Sequence, residues 1–330
     1  MRVGIIGCGL VGLKRAQAVA AHGLTIVGAA DPAPGRAAAL MESVGTAGAD
    51  GLAAATPDDV VALRPDLMVI ATPHDRLAAL TLAAVEAGCH VLVEKPAART
   101  AAELDPVIAA AGRLGRLIKV GYNHRFHPAL RKAREIVDDG RLGPLMFIRG
   151  RYGHGGRPGM EREWRCVPAI SGGGELIDQG SHLIDLARWF LGDFTDVQGT
   201  LATTFWDAPV EDNCFLSLRT ASGAVAWLHA SWTEWKNMFS FEIYGRDGKL
   251  HIEGLGGSYG VERLSWYRML PGLGPPETTI WEYPRPDASW SAELAELLSA
   301  MRENRRPSGD IHDARATLDI IGNLYRDHRR

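Results

Sequence analysis

The sequence predicts two bodies: an α/β domain on a parallel, doubly wound sheet, then an α+β domain on a large, open, mostly antiparallel sheet. Three observations carry this. Residues 1–121 contain no Phe, Trp or Tyr, and all 24 aromatic residues lie between Tyr122 and Tyr325. The first stretch is built on small side chains instead, with 29 alanines before residue 121, so the two parts must bury their cores with different residues. A boundary is therefore expected near Gly121, giving domains 1–121 and 122–330. In the first part short apolar runs alternate with helical spacing, the order that yields a parallel sheet with helices on both faces. In the second, period-two runs separated by turn signals fill most of the length.

Buried strands are expected at 3–6, 25–29, 67–71, 91–93 and 117–120, with helices between them at 10–21, 75–87 and 100–114. The second part opens with a long helix over 175–191. Strands then follow at 197–206, 213–220, 223–232, 238–244, 248–253 and 261–268, with turns at 221–223 and 246–248 (Ala-Ser-Gly and Arg-Asp-Gly). Residues 271–276, PGLGPP, read as a loop. Helices near 289–304 and 311–327 close the chain.

Charge and composition exclude several classes. With 36 Lys+Arg against 39 Asp+Glu, the chain lacks the basic excess of a nucleic-acid binder. No apolar run reaches the ~18–20 residues of a membrane span. Met1-Arg2-Val3 runs straight into a strand without a leader-like segment. Cys8, Cys89, Cys166 and Cys214 form no CxxC pair, which argues for a reducing cytoplasm and against a disulfide framework or a metal site.

Gly7-Cys8-Gly9-Leu10-Val11-Gly12 is GxGxxG, placed after a strand and opening a helix. Gly7 permits the tight turn, Gly9 lets backbone approach a pyrophosphate, and Gly12 lets the helix pack on the strand. The helix N-terminus offers amides and a positive dipole end to phosphates. Asp31, at the end of the second strand, accepts hydrogen bonds from ribose hydroxyls and repels a 2′-phosphate. NAD is expected over NADP, although Arg36 is near enough in sequence to accommodate the phosphate.

The strand over 91–93 ends in Glu94-Lys95-Pro96, which aims Lys95 at the ligand side of the sheet. Later, Gly172-Gly173-Gly174-Glu175-Leu176-Ile177-Asp178-Gln179-Gly180-Ser181-His182 opens a helix that sets Asp178 and His182 on one face. Asp185 lies near that face and could orient the imidazole. Together these motifs resemble the glucose–fructose oxidoreductase/inositol dehydrogenase/MocA family over essentially the whole chain. Tyr122-Asn123-His124-Arg125-Phe126 also resembles a family segment.

The resemblance implies a Rossmann domain, an open-sheet substrate domain, and hydride transfer between NAD and a secondary alcohol of a sugar, cyclitol or nucleotide sugar. By the same resemblance Lys95 polarises the reacting oxygen, Asp178 contacts substrate and His182 accepts the proton. Thr72-Pro73-His74 lies along the cofactor, Glu94 lies beside the nicotinamide, and the Lys95–Pro96 bond is cis. The fold also admits two alternatives: an NAD-dependent glycosidase and a non-catalytic, cofactor-binding regulator.

The Gly-rich segment 151–165 reads as a loop over the pocket. Trp164 could stack on a sugar, and Arg157 and Arg165 could grip a carboxylate or phosphate. Arg125 is a further candidate for substrate contact. Trp227, Trp232 and Trp235, on neighbouring strand ends, imply an apolar surface that a homodimer or homotetramer would cover.

Overall fold

The protein is described from a computed structural model over residues 1–45, 51–272 and 274–328. Strand β1 (Arg2–Ile6) buries every residue after Arg2, as a strand covered on both faces must. Then come α1 (Leu10–Ala21), β2 (Thr25–Ala30), α2 (Arg36–Ser43), β3 (Leu52–Ala54), α3 (Pro57–Ala62) and β4 (Leu67–Ile70). They are followed by α4 (His74–Glu86), β5 (His90–Val93), α5 (Asp105–Leu114) and β6 (Ile118–Val120).

All six strands run parallel in the order β3-β2-β1-β4-β5-β6. The order reverses between β1 and β4, so a crevice opens outside their carboxyl ends. In this sheet the sequence reading misses β3. It is short and largely exposed, so it shows no apolar run.

The chain continues through α6 (Pro128–Asp138), β7 (Leu145–Gly153), α7 (Pro168–Ser171), a π-helical turn over Leu176–Gly180, and α8 (Ser181–Leu191). Next are β8 (Phe194–Ala202), β9 (Asn213–Thr220), β10 (Val225–Ser231), β11 (Met238–Gly245), β12 (Gly248–Glu253), β13 (Glu262–Arg268) and β14 (Glu277–Tyr283). Helices α9 (Ser289–Glu303) and α10 (Ile311–His328) follow. The eight-stranded sheet has the order β14-β13-β12-β11-β7-β10-β9-β8, antiparallel except where β7 runs parallel to β10.

Strand β7 lies inside this sheet, yet the sequence reading joined its last residues to the loop after it. Arg149, Gly150 and Arg151 interrupt the apolar pattern. Gly150 sits on the buried face, where a Cβ would come within 3.0–3.3 Å of Leu228, Phe241 and Leu183, so its neighbours fill its place. Strand β14 is an exposed edge and shows no buried alternation. The expected loop at 271–276 includes residue 273, which lies outside the described residues.

The expected strand over 197–206 stops at Ala202 because Asp212 draws the next residues out of the sheet. Its carboxylate accepts the amides of Thr204, Phe205 and Trp206 at 2.8–3.0 Å. Burial would raise this carboxyl, but those bonds override it and hold its pKa below the usual range.

By packing, the chain forms two compact units. One is Met1–Tyr122 with Trp290–Leu318, and the other is Asn123–Ser289 with the chain from Asp319. The second body therefore differs from the continuous stretch expected over 122–330, because α9 and the start of α10 belong with the first unit. The cause is chemical as well as apolar. Leu294, Leu297 and Leu298 enter the core formed by Val3, Ile5, Val69 and Ala16. Glu293, fully buried, takes Arg15 at 2.5 Å and Lys119 at 2.9 Å, two cations that are themselves buried.

Candidate functional site

The first unit gathers one cluster at the carboxyl ends of its strands. Gly7 leaves β1 at φ +92°, and a Cβ there would lie 2.4 Å from the Ala71 carbonyl oxygen. The loop after β4 thus runs directly against the turn. A Cβ at Gly12 would lie 1.9 Å from the Gly7 carbonyl oxygen, so α1 comes this close only because that residue is glycine. Gly9 has open space around it, and no side chain caps α1, which leaves the positive helix end to an anion. Leu10, in the first turn, is exposed, and Val11 is half-buried.

Asp31 follows β2, and its two oxygens accept the amides of Cys8 (2.8 Å) and Ala33 (2.9 Å). The carboxylate is thereby pinned at the rim of the turn, with exposed Arg36 3.9 Å away. Burial and the Asp31 charge push the Cys8 thiol up to about 12, so it stays protonated and is no nucleophile. A glycine turn, an uncapped helix end and a fixed carboxylate together fit the pyrophosphate and ribose of a dinucleotide.

Lys95 and Glu94 follow β5, on the same edge of the sheet. The Lys95–Pro96 bond is cis. Glu94, expected beside the nicotinamide, has its Oε1 engaged by Arg15 Nε at 2.7 Å. Thr72 lies beside the glycine turn, Pro73 precedes α4, and His74 is buried at the start of that helix.

The second unit holds the other cluster. Asp178 lies in the π-helical turn and His182 in the first turn of α8, both buried. The long helix expected over 175–191 is therefore α-helical only from Ser181; such π turns are frequent at functional sites. Glu211 fixes its start, with Oε1 accepting the amides of Gly174 and Leu176 at 3.1 Å and the Tyr325 hydroxyl at 2.7 Å. The His182 ring lies 3.8 Å, centroid to centroid, from His124, and Tyr152 packs edge-on to both. Gln179 Nε2 donates to the Tyr259 hydroxyl at 3.4 Å. Burial raises the Tyr152 and Tyr259 pKa values above their ordinary one, so both phenols stay neutral donors.

Tyr152 and Tyr259 were missed in the sequence. They come from β7 and from the 257–259 turn, far from the helix they meet. His124 belongs to the 122–126 segment, and its pairing with His182 has no sequence signal.

The three arginines expected near substrate, Arg157 and Arg165 as anion grips and Arg125 as a further contact, all have acidic partners. Arg125 makes a buried bidentate pair with Asp185 at 2.8 and 2.6 Å. Arg165 donates to Asp178 at 3.1 Å and lies 4.5 Å from the Trp164 ring. Arg157, largely exposed, pairs with Glu163 at 2.7 Å. Trp232, expected on an exposed surface, is fully buried with Met160, Cys166 and Val210. A cavity of about 850 Å³ opens on the sheet face bearing Arg149, Arg151, Phe215, Trp227, His229 and His251. These side chains alternate with the buried ones, so this is the face turned away from α8. Among the described residues no group of three or more His, Cys, Asp or Glu gathers as a metal site would require, and no helix is long and apolar enough to cross a membrane.

Residues 1–122 match the family model described as "Oxidoreductase family, NAD-binding Rossmann fold", and residues 130–251 match "GFO/IDH/MocA C-terminal domain". The chain is 30% identical over 206 residues to levoglucosan dehydrogenase of Pseudarthrobacter phenanthrenivorans, covering 54% of this chain and 53% of that one. It is 31% identical over 231 residues to inositol 2-dehydrogenase 2 of Saccharopolyspora erythraea, covering 68% and 65%. The match thus spans about half to two thirds of these relatives. A solved levoglucosan dehydrogenase in complex with NADH and levoglucosan shares the fold, with a TM-score of 0.89 at 24% identity over 100% of this chain and 97% of that one. Both halves of the sequence answer to one family, and the chain belongs to it: the Gfo/Idh/MocA oxidoreductases, with an NAD-binding Rossmann domain at its N-terminal end.

Proposed function

We propose that the protein is an NAD-dependent dehydrogenase that transfers a hydride between the nicotinamide and a secondary alcohol of a sugar, cyclitol or nucleotide-linked sugar. The observation that carries this reading is the set of groups along one edge of one sheet: the glycine turn after β1, Asp31 after β2 and Lys95 after β5. Bound NAD supplies the hydride acceptor. Lys95 donates a hydrogen bond to the reacting oxygen and stabilises its developing negative charge. His182 accepts the hydroxyl proton, and Asp178, held by Arg165, contacts substrate hydroxyls. Arg125 acts as a positioning residue, tying the 123–126 turn to α8 through Asp185.

The acidic partners of Arg125, Arg157 and Arg165 favour an uncharged polyol over a substrate that carries phosphate. Asp31 favours NAD over NADP. The exposed rings of Phe215 and Trp227 support a homodimer or homotetramer joined through the open sheet face. Four unbonded, buried cysteines are in keeping with a cytoplasmic protein.

The test is NADH formation across a panel of sugars, cyclitols and nucleotide sugars. Lys95→Ala and His182→Ala are each expected to lower turnover by roughly 10²–10⁴-fold, with NADH affinity nearly unchanged in His182→Ala. A cofactor-loaded protein that forms no NADH with any of them, or a fully active His182→Ala enzyme, would contradict the mechanism.

A further inference from the structure

Phe205 and Trp235 are 59% and 64% exposed, yet neither is loosely held. Phe205 lies in the segment whose successive amides are fixed by the Asp212 carboxylate. Trp235 has φ +47°, a left-handed conformation that costs a bulky residue energy and that clusters at functional positions. The two rings meet edge to face at 4.7 Å, and Phe205 meets Trp206 at 5.2 Å in the same way. Trp206 is anchored by its Nε1, which donates to the Trp232 carbonyl at 3.1 Å.

The rings also adjoin the segment that leads to Asp178. A Cβ at Gly155 would lie 3.1 Å from the Trp235 Cα, and one at Gly156 would lie 2.5 Å from Trp206 Cζ2. Residues 154–157 therefore run past the aromatic group, with Gly155 against Trp235 and Gly156 against Trp206. Within them, His154 feels the charges of Asp178 and Arg165, and Arg157 pairs with Glu163. Glu234 and Lys236 flank Trp235. Rigid ring surfaces bordered by polar and charged side chains suit a ligand with apolar C–H faces and a hydroxylated rim, and a pyranose has both.

Resting on the dehydrogenase reading, we infer that Phe205 and Trp235 form a platform for a second sugar ring, so that the preferred substrates are glycosides of two or more rings rather than free monosaccharides.

Binding is measured by tryptophan fluorescence, and NADH formation alongside it, for methyl glycosides of glucose, galactose and mannose and for disaccharides carrying the same ring at the non-reducing end. At least one disaccharide should bind about five- to tenfold tighter than its methyl glycoside. Phe205→Ala and Trp235→Gly, the latter compatible with the left-handed backbone, should each remove most of that gain and leave the methyl glycoside unaffected. Equal affinity for both members of every pair, or an equal loss for both in the variants, overturns the platform. So does a change in oligomeric state in either variant, which would make the rings a subunit contact. NADH formed without any second-ring gain removes this inference and leaves the dehydrogenase reading standing. Second-ring discrimination without NADH supports the platform as a binding site and overturns its use for substrate; the dehydrogenase reading is then decided by the cyclitols and nucleotide sugars of the wider panel. No binding of any of these sugars overturns the platform, and the dehydrogenase reading falls with it only if the cyclitols and nucleotide sugars of the wider panel also form no NADH.

Discussion

Asp31 does two things with one carboxylate. It accepts the Cys8 and Ala33 amides, which shapes the glycine turn, and in the proposed binding mode it presents negative charge to the ribose 2′ substituent. Asp31→Ala is expected to weaken NAD binding about tenfold or more and NADP binding less, narrowing the preference. Titrating both cofactors by fluorescence checks this, and tighter NADP binding by the unmutated protein would contradict the assignment. The glycines, Asp31, Asp178 and His182 were legible because fixed backbone geometry or a short spacing demands them. His124, Tyr152 and Tyr259 were not, because their contacts arise only when a strand and two turns fold onto α8. The acidic partners of the three arginines were hidden for a related reason: sequence shows a cation but not the carboxylate that meets it.

Among elements, α9 is the least expected. Its amphipathic spacing is plain in the sequence, but its attachment to the first unit depends on Glu293, which answers Arg15 and Lys119. Arg15 also holds Glu94, the neighbour of Lys95. Glu293→Ala would leave two buried cations short of their counter-charge and should cost about 3–5 kcal/mol, read as a lower urea midpoint, with turnover falling as Glu94 loosens. A loss under about 1 kcal/mol would show the pair to be solvated. The strand alternation of the larger sheet was legible wherever one face is buried. It failed at β7, where a glycine replaces an inward side chain, and at β14, which buries nothing.

For the molecule as a whole there are two expectations, the first set by the open sheet face. Trp227, 65% exposed, lies on this face in β10, so Trp227→Glu should convert the expected dimer or tetramer to smaller species by light scattering. A wild-type monomer at micromolar concentration would remove that interface. The second expectation concerns acid. His90, His154, His229 and His251 all have pKa values lowered from 6.5, chiefly by burial. Each imidazole therefore takes up a proton more readily unfolded than folded. Above the unfolded value of about 6.5 they carry no penalty; below it the unfolded state binds more protons, and stability falls until the folded values are passed. Thermal midpoints should drop as pH is lowered through that window, and His154→Gln should shallow the slope. Midpoints that rise on acidification would refute the assignment.

The return of Glu293 to the first unit also bears on how the chain is born. Residues 1–122 leave the ribosome well before Glu293 is synthesised, and at ordinary elongation rates the delay is roughly 10–30 s. During that interval the nascent sheet must keep Arg15 and Lys119 hydrated, with the surface later covered by Leu294, Leu297 and Leu298 open to water. The core beneath the dinucleotide cradle is thus closed only after the larger sheet has been translated. A fragment ending at residue 122 would hold every glycine of the fingerprint and still lack the carboxylate that lets its core close.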